Sequence, residues 1–409
     1  MNGDDRARSG PRPGHRPRTG HRPGRHRGSR AVFLVGIDVD SMGGSQRVLH
    51  TLAQGFGERG HRVELIGIRP SPEPYRYPHR GGPAYRHSTL YSAPAPPRRP
   101  PARTLGERLA PARVLGTRAA RAERSRARER LLRRFAAVER GYVVIGSPWA
   151  ADWLLALHWP HLKGIGQYHE SFAQARASRN LGLILRHYPR LEKALFLSEG
   201  DAAAFRRERL PNAAYMPNPL PFTPPAPAPL DTRRIGAVGR LEEVKRLDRL
   251  VDAFAALAPD HPGWELHFFG EGPLEPVLRE RAARLGCAER VVFRGAVRDV
   301  AAAYREVSVL ALTSEREGRP MAVAEAAACG VPAVSFDLSG GVRELVADGR
   351  TGRLVRAGDR AAFTAALREL VADDALRTAY GRAAREHVAP LALPAVLDRW
   401  EELFDEIDR

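Results

Sequence analysis

From residue 31 onward, short apolar runs alternate with segments of helical period, and the alternation runs through twice. AVFLVGI at 31–37 is too short and too continuously apolar for an amphipathic helix. It reads as a strand buried on both faces, with a helix near 46–58 and a second strand, RVELIGI, at 62–68. Strands are expected again at 142–146, 164–168 and 194–198, with a helix at 200–208. PNPLPFTPPAPAPL at 217–230 then breaks the pattern, because no regular element tolerates that density of proline. Beyond it the alternation restarts, with strands at 233–238, 264–269, 291–294, 307–312, 332–336 and 353–355. Helices are expected near 246–257, 274–285, 299–305, 320–329 and 340–347, then near 359–371, 375–387 and 391–407. This alternation builds parallel sheets covered by helices.

The expected class is therefore α/β, with two Rossmann-like domains whose parallel sheets face a central cleft. The boundaries expected are a tail at 1–30, a first domain at 31–222, a linker at 223–231, a second domain at 232–389, and a closing helix at 390–409 that packs back on the first domain. In open parallel sheets ligands bind beyond the carboxyl ends of the strands, so the strand-to-helix loops are where chemistry belongs.

The net charge of +18 is concentrated in two places. Residues 1–30 hold nine arginines and two aspartates; residues 98–140 hold fourteen arginines and four glutamates, which leaves the rest near neutral. The first segment has no hydrophobic period and reads as a disordered tail. In the second, Leu105, Leu109, Leu115, Leu131, Leu132 and Phe135 sit among arginines. That pattern reads as one or two weakly amphipathic helices, suited either to an anionic membrane surface or to a solvated face. No apolar run approaches the roughly 18 residues of a membrane span, and no apolar leader is seen at the N-terminus. Cys287 and Cys329 are too few for a disulfide framework or a zinc site. A cytoplasmic protein, peripheral on the inner face of the cell membrane, is expected.

Three loops of the second half carry the chemistry. In TSEREGRPMAVAEAAACGVP at 313–332 a strand ends, Glu317 and Gly318 follow, and Pro320 is expected at the first helical position. The free amides of Met321 and Ala322 then offer an anion site at a helix N-terminus. Glu317 and Glu325 are spaced to accept hydrogen bonds from the two ends of a nucleotide sugar; read alone, they are equally an acidic cap and an ordinary helix glutamate. In RRIGAVGRLEEVKRLDR at 233–249, Arg240 and Lys245 flank the turn after a strand, which suits a diphosphate. Lysine occurs only at 163, 193 and 245, in a chain that otherwise uses arginine, so Lys245 is informative. FFGEGP at 268–273 places Gly270 and Gly272 where backbone can approach a nucleotide. In the first half, Gly43 and Gly44 of SMGGS suit phosphates from across the cleft, and His169 of IGQYHESF follows a strand, as a site residue or a satisfied core histidine. Asn218 sits at the linker, placed to fix a hinge. Nucleophile-elbow, Walker, metalloprotease and dinucleotide fingerprints do not occur.

Taken together, Gly239-Arg240 with Lys245, Gly270-x-Gly272-Pro273, Glu317-x7-Glu325 and the following Cys329-Gly330-Val331-Pro332 resemble the family 4 glycosyltransferases of the GT-B fold, as does ELVADGRTGRLV at 344–355. The resemblance covers about 31–390 and is stronger in the second half. It implies retaining transfer from a nucleotide diphosphate sugar, UDP-sugars favoured, with no metal or other cofactor. Arg240 and Lys245 would stabilise the leaving diphosphate, Glu317 would hold the donor sugar, Glu325 the ribose, and His169 would lie near the sugar. QYHESF, LSEGD at 197–201 and PNPLPF at 217–222 are also similar to bacterial poly(glycerol-phosphate) alpha-glucosyltransferases, which points to a lipid-linked or polymeric cell-envelope acceptor. Arg319 stands where the family has an aromatic, which suggests an acidic sugar or an anionic acceptor. Arg246 stands where a glycine is frequent. The alternatives are a soluble enzyme glycosylating a small metabolite and a non-catalytic nucleotide-sugar-binding scaffold. A nucleic-acid-binding role lacks any base-reading motif, so no specific nucleic acid is expected.

Overall fold

The computed structural model describes residues 28–77, 81–94 and 111–409, so most of the arginine-rich tail and residues 95–110 lie outside it. The first domain is a parallel sheet of β1 (Ala31–Gly36), β2 (Arg62–Gly67), β3 (Arg86–Thr89), β4 (Gly141–Ile145), β5 (Leu162–Tyr168), β6 (Lys193–Phe196) and β7 (Ala213–Tyr215). Its order is β3-β2-β1-β4-β5-β6-β7. The helices are α1 (Gly44–Glu58), α2 (Pro111–Phe135), α3 (Pro148–Leu154), α4 (Phe172–Arg176), α5 (Asn180–His187) and α6 (Glu199–Arg207). The second sheet contains β8 (Arg234–Val238), β9 (Glu265–Phe269), β10 (Val291–Phe293), β11 (Val309–Leu312), β12 (Ala333–Asp337) and β13 (Gly352–Arg356). It is parallel too, in the order β10-β9-β8-β11-β12-β13. Around it lie α7 (Leu247–Leu257), α8 (Glu275–Arg284), α9 (Val300–Arg305), α10 (Met321–Ala328), α11 (Gly340–Arg343), α12 (Arg360–Ala372) and α13 (Asp374–Val388).

In each sheet the strand order reverses at one point, between β1 and β4 and between β8 and β11. The loops leaving neighbouring strands diverge there and open a crevice. Because β8 and β11 pair directly, the loops carrying Lys245 and Glu317 are brought side by side.

Several elements differ from the sequence expectation. β3 and β7 were not expected: RHST is a polar edge strand and AAY only three residues long, so neither shows an apolar run. α3, α4 and α5 were not expected either. Two of them begin at serine caps, with Ser147 accepting from the Ala150 amide and Ser171 forming a reciprocal box with Gln174. Pro320 caps α10 with extended backbone (φ −67°, ψ 114°) rather than occupying its first position, and α11 is a single turn where a longer helix was expected.

The helix expected within 98–140 is α2; Leu105 and Leu109 lie outside the described residues. Its last turns do not present an apolar stripe to solvent. Ala127, Leu131 and Phe135, spaced by four, are buried in the first domain's own core, with Phe135 edge-on to Phe33. The exposed face of α2 mixes arginine with alanine, Ser125 and Glu129. The chain ends in α14 (Leu393–Ile407), whose Trp400 and Phe404 are fully buried against the first domain. Phe404 stacks on Tyr142 at 4.0 Å between ring centroids, and Arg59 pairs with Asp398 at 2.8 Å. Among the described residues no helix is long and apolar enough to cross a membrane.

Candidate active site

The cleft between the domains holds a cavity of about 530 Å³. Gly43, Gly44, His169, Arg240, Lys245, Gly270, Glu317, Met321, Ala322 and Glu325 all line it; Gly272 does not. Its floor is an ion pair: Lys245 Nζ donates to Glu317 Oε1 at 2.7 Å, and Ser314 Oγ donates to the same oxygen at 2.7 Å. Two further bonds fix the loops that carry this pair, from the Glu315 amide to the Val244 carbonyl at 2.8 Å and from Thr313 Oγ1 to the Lys245 carbonyl at 3.1 Å. Arg240, more exposed, pairs with Glu242 at 2.9 Å. Arg246 has φ +46°, the left-handed region where a glycine fits without strain, and holds Asp248 through two bonds of 3.0 and 2.9 Å.

Packing between loops also constrains the glycines. A Cβ on Gly270 would lie 2.0 Å from the Gly239 carbonyl oxygen, and one on Gly272 would lie 2.4 Å from that of Leu241. Both glycines are demanded by the packing of one second-domain loop on another, so only Gly270 reaches the cavity wall. Gly43 gives its amide to Tyr77 Oη at 2.9 Å, and a Cβ on Gly44 would meet nothing within 4 Å. Gly318 is constrained from across the cleft: a Cβ there would lie 2.7 Å from Glu170 Cα and 2.9 Å from the His169 carbonyl oxygen.

His169 leaves the end of β5 with both ring nitrogens shut off from solvent and with Asn218 as its hydrogen-bonding neighbour. Burial pushes its pKa down to about 4, with the nearby Asn218 acting the other way, so the ring is neutral at physiological pH. Asn218 Oδ1 is likewise buried, and Asn218 lines the same cavity.

Glu325 lies on α10, almost wholly buried. It accepts from Tyr304 Oη at 3.2 Å and from Arg47 Nη1 of α1 at 2.9 Å. Burial raises its carboxyl above the usual range, while Arg47 and Tyr304 pull it back. Arg47 was not anticipated, because nothing in the sequence links residues 278 apart.

Arg319 lines the cavity, but its guanidinium is engaged at the contact between the domains. Its buried guanidinium donates to the Leu197 carbonyl at 2.8 Å and to Tyr215 Oη at 3.2 Å in the first domain, and pairs with Glu344 in the second. Glu344 in turn accepts the Glu199 amide at 3.0 Å. This clasp ties the second domain to the carboxyl ends of β6 and β7. Among the described residues no group of three or more His, Cys, Asp or Glu is arranged to hold a metal ion.

More than nine-tenths of the chain superimposes on solved structures. TarM matches with a TM-score of 0.73 at 11% identity, covering 93% of this chain and 99% of that one. The Anabaena HepE complex with UDP matches with a TM-score of 0.69 at 16% identity, covering 92% and 100%. The fold is GT-B. Residues 223–387 match the sequence family described as glycosyl transferases group 1. Among curated relatives, the exopolysaccharide phosphotransferase of Streptomyces coelicolor is 34% identical over 198 residues, 48% of this chain and 21% of that protein. The amylovoran biosynthesis glycosyltransferase AmsD of Erwinia amylovora is 30% identical over 172 residues, 42% of this chain and 48% of its own length. The chain thus spans about a fifth of the first relative and about half of the second.

Proposed function

We propose that the protein is a retaining glycosyltransferase of family 4 type. It moves a sugar from a nucleotide diphosphate sugar, UDP-sugars favoured, to a cell-envelope acceptor such as a glycolipid, a polysaccharide or a teichoic-acid-like polymer. The observation that carries this reading is the Lys245–Glu317 pair at 2.7 Å on the cavity floor, with Arg240 beside it and the buried His169 and Asn218 lining the same cavity. The family match over the second domain and the exopolysaccharide relatives support it. The UDP and glucose in HepE structures support the donor class.

In the reaction, the bond from the anomeric carbon to the β-phosphate oxygen breaks and a bond to the acceptor oxygen forms on the same face. The acceptor proton passes to the departing phosphate oxygen, so no separate base is required. Lys245 and Arg240 neutralise the charge that grows on the diphosphate. Glu317 accepts sugar hydroxyls, and the neutral His169 ring hydrogen-bonds the sugar without adding charge. The amides of Met321 and Ala322 open α10 toward the anion. No metal is called for, since these cations meet the same electrostatic need.

A calorimetric screen of UDP-, GDP- and ADP-sugars tests the donor assignment. One donor should bind at micromolar level and be weakened about 10- to 100-fold by Lys245→Met and by Glu317→Ala, the range for a charged hydrogen bond. Absence of binding by every donor would refute it.

We also propose peripheral contact with anionic membrane. A surface cleft of about 600 Å³ on the first domain is lined by Arg62, Arg86, Arg130, Arg133 and Arg134 against one acid, Glu64. Anionic vesicles should co-sediment the protein at low salt, and Arg62→Glu/Arg86→Glu/Arg133→Glu should abolish that.

A further inference from the structure

Three of the cations that line the cleft are held by a carboxylate from its wall: Lys245 by Glu317, Arg240 by Glu242 and Arg47 by Glu325. The third pair is unlike the others because it crosses between the domains. Among the described residues lining the cavity, Arg47 is the one cation that the first domain contributes. It sits in the first turn of α1, immediately beyond Gly43 and Gly44, where the helix dipole disfavours positive charge unless an anion is close. Glu325 supplies that anion at 2.9 Å. The two side chains are unequally committed, since the Glu325 side chain is 4% exposed and that of Arg47 is 31%. The arginine is therefore the mobile partner, on a long side chain with open space on one side.

We propose that Arg47 is a diphosphate-binding residue that exchanges partners when the donor enters. Glu325 turns from the guanidinium to hydroxyls of the nucleotide's ribose, and Arg47 swings to the phosphates in front of the α1 amides. This rests on the donor reading given above. It parallels what that reading asks of Lys245 and Glu317: a carboxylate that holds a cation gives it up to a phosphate and accepts a sugar hydroxyl instead. After the exchange Glu325 still accepts hydrogen bonds, from the ribose hydroxyls and from Tyr304 Oη, and Arg47 still faces an anion, the phosphate in place of the carboxylate. It also draws the first domain onto the donor, since the arginine fork can grip two phosphate oxygens at once.

The test compares a nucleoside diphosphate with its own nucleoside, by calorimetry on the full chain at one salt concentration. The probe is whichever of UDP, GDP and ADP the wild-type protein binds, paired with uridine, guanosine or adenosine. The readout is the ratio of the two affinities. Arg47→Ala should lower that ratio about tenfold by weakening the diphosphate alone, and Arg47→Lys should retain most of it. Arg47→Ala/Glu325→Gln removes both buried charges and guards against misfolding of the single variant; its ratio should fall equally, while Glu325→Gln alone should leave the ratio unchanged. If Arg47→Ala weakens diphosphate and nucleoside by the same factor, or weakens neither, the inference is overturned and the donor reading stands. If the wild-type protein binds none of the three diphosphates, the donor reading falls and this inference with it.

Discussion

Gly318→Ala is the substitution that most directly tests whether the two domains meet as closely as the structure shows. Gly318 follows Glu317, and its φ is not in the left-handed region, so alanine meets no backbone strain there. The obstacle is the other domain: the new Cβ would sit 2.7 Å from Glu170 Cα and 2.9 Å from the His169 carbonyl oxygen. Both are backbone atoms, which no rotamer change can move aside. Reaching an ordinary contact distance needs the cleft to open by about 0.7 Å at this point, beside the Lys245–Glu317 pair. A misplacement near 1 Å in a reacting pair costs on the order of 100-fold in rate. The added methyl lies at the domain contact and outside both cores, so the denaturation midpoint should move little. The assay is initial-rate release of nucleoside diphosphate at saturating donor, alongside calorimetric binding of the same diphosphate. The expected result is a turnover loss of roughly 30- to 100-fold with diphosphate affinity changed less than threefold. A variant that turns over at the wild-type rate would show that the working enzyme does not bring Gly318 against residues 169–170.

Trp400→Ala should destabilise the first domain by about 3–5 kcal/mol, the cost of emptying a fully buried aromatic site, read from urea unfolding; a loss under about 1 kcal/mol would mean that α14 does not help hold that domain. Burial lowers the folded-state pKa of His169 to about 4 from the ordinary 6.5, so the unfolded chain takes up a proton first as pH falls. Stability from this group is complete above pH 6.5 and is lost between 6.5 and 4. His169→Gln should therefore lose about 3 kcal/mol less than wild type over that window, and parallel curves would count against a buried neutral ring. Arg319→Ala should leave the preference between neutral and acidic sugars unchanged while raising amide exchange at residues 197–199 and 215; an altered sugar preference would return Arg319 to the donor site.

Much of this was legible in the sequence because it is written locally. A strand buried on both faces must be continuously apolar, so β1, β4, β8 and β11 announce themselves. The Lys245 and Glu317 loops stand out because parallel strands place their chemistry at the turns that follow them. β3 was hidden because an edge strand with polar residues has no such signature, and α2 looked more amphipathic toward solvent than it is, because an apolar spacing of four does not say what it packs on. The glycines at 270 and 272 were read as open to a ligand, since a sequence shows that bulk is excluded but not by which neighbour.

The sequence by itself determined the class, the two-domain division at the proline-rich linker, and which loops carry charge and small residues. Local periodicity and steric limits on each residue suffice for that. Only the tertiary structure decided the pairings across the cleft: Arg47 with Glu325, Gly318 against residues 169–170, and Arg319 clasped to Leu197 and Tyr215. Those contacts join residues more than a hundred positions apart. They depend on how two rigid sheets come to face each other, and no local pattern in the chain encodes that angle.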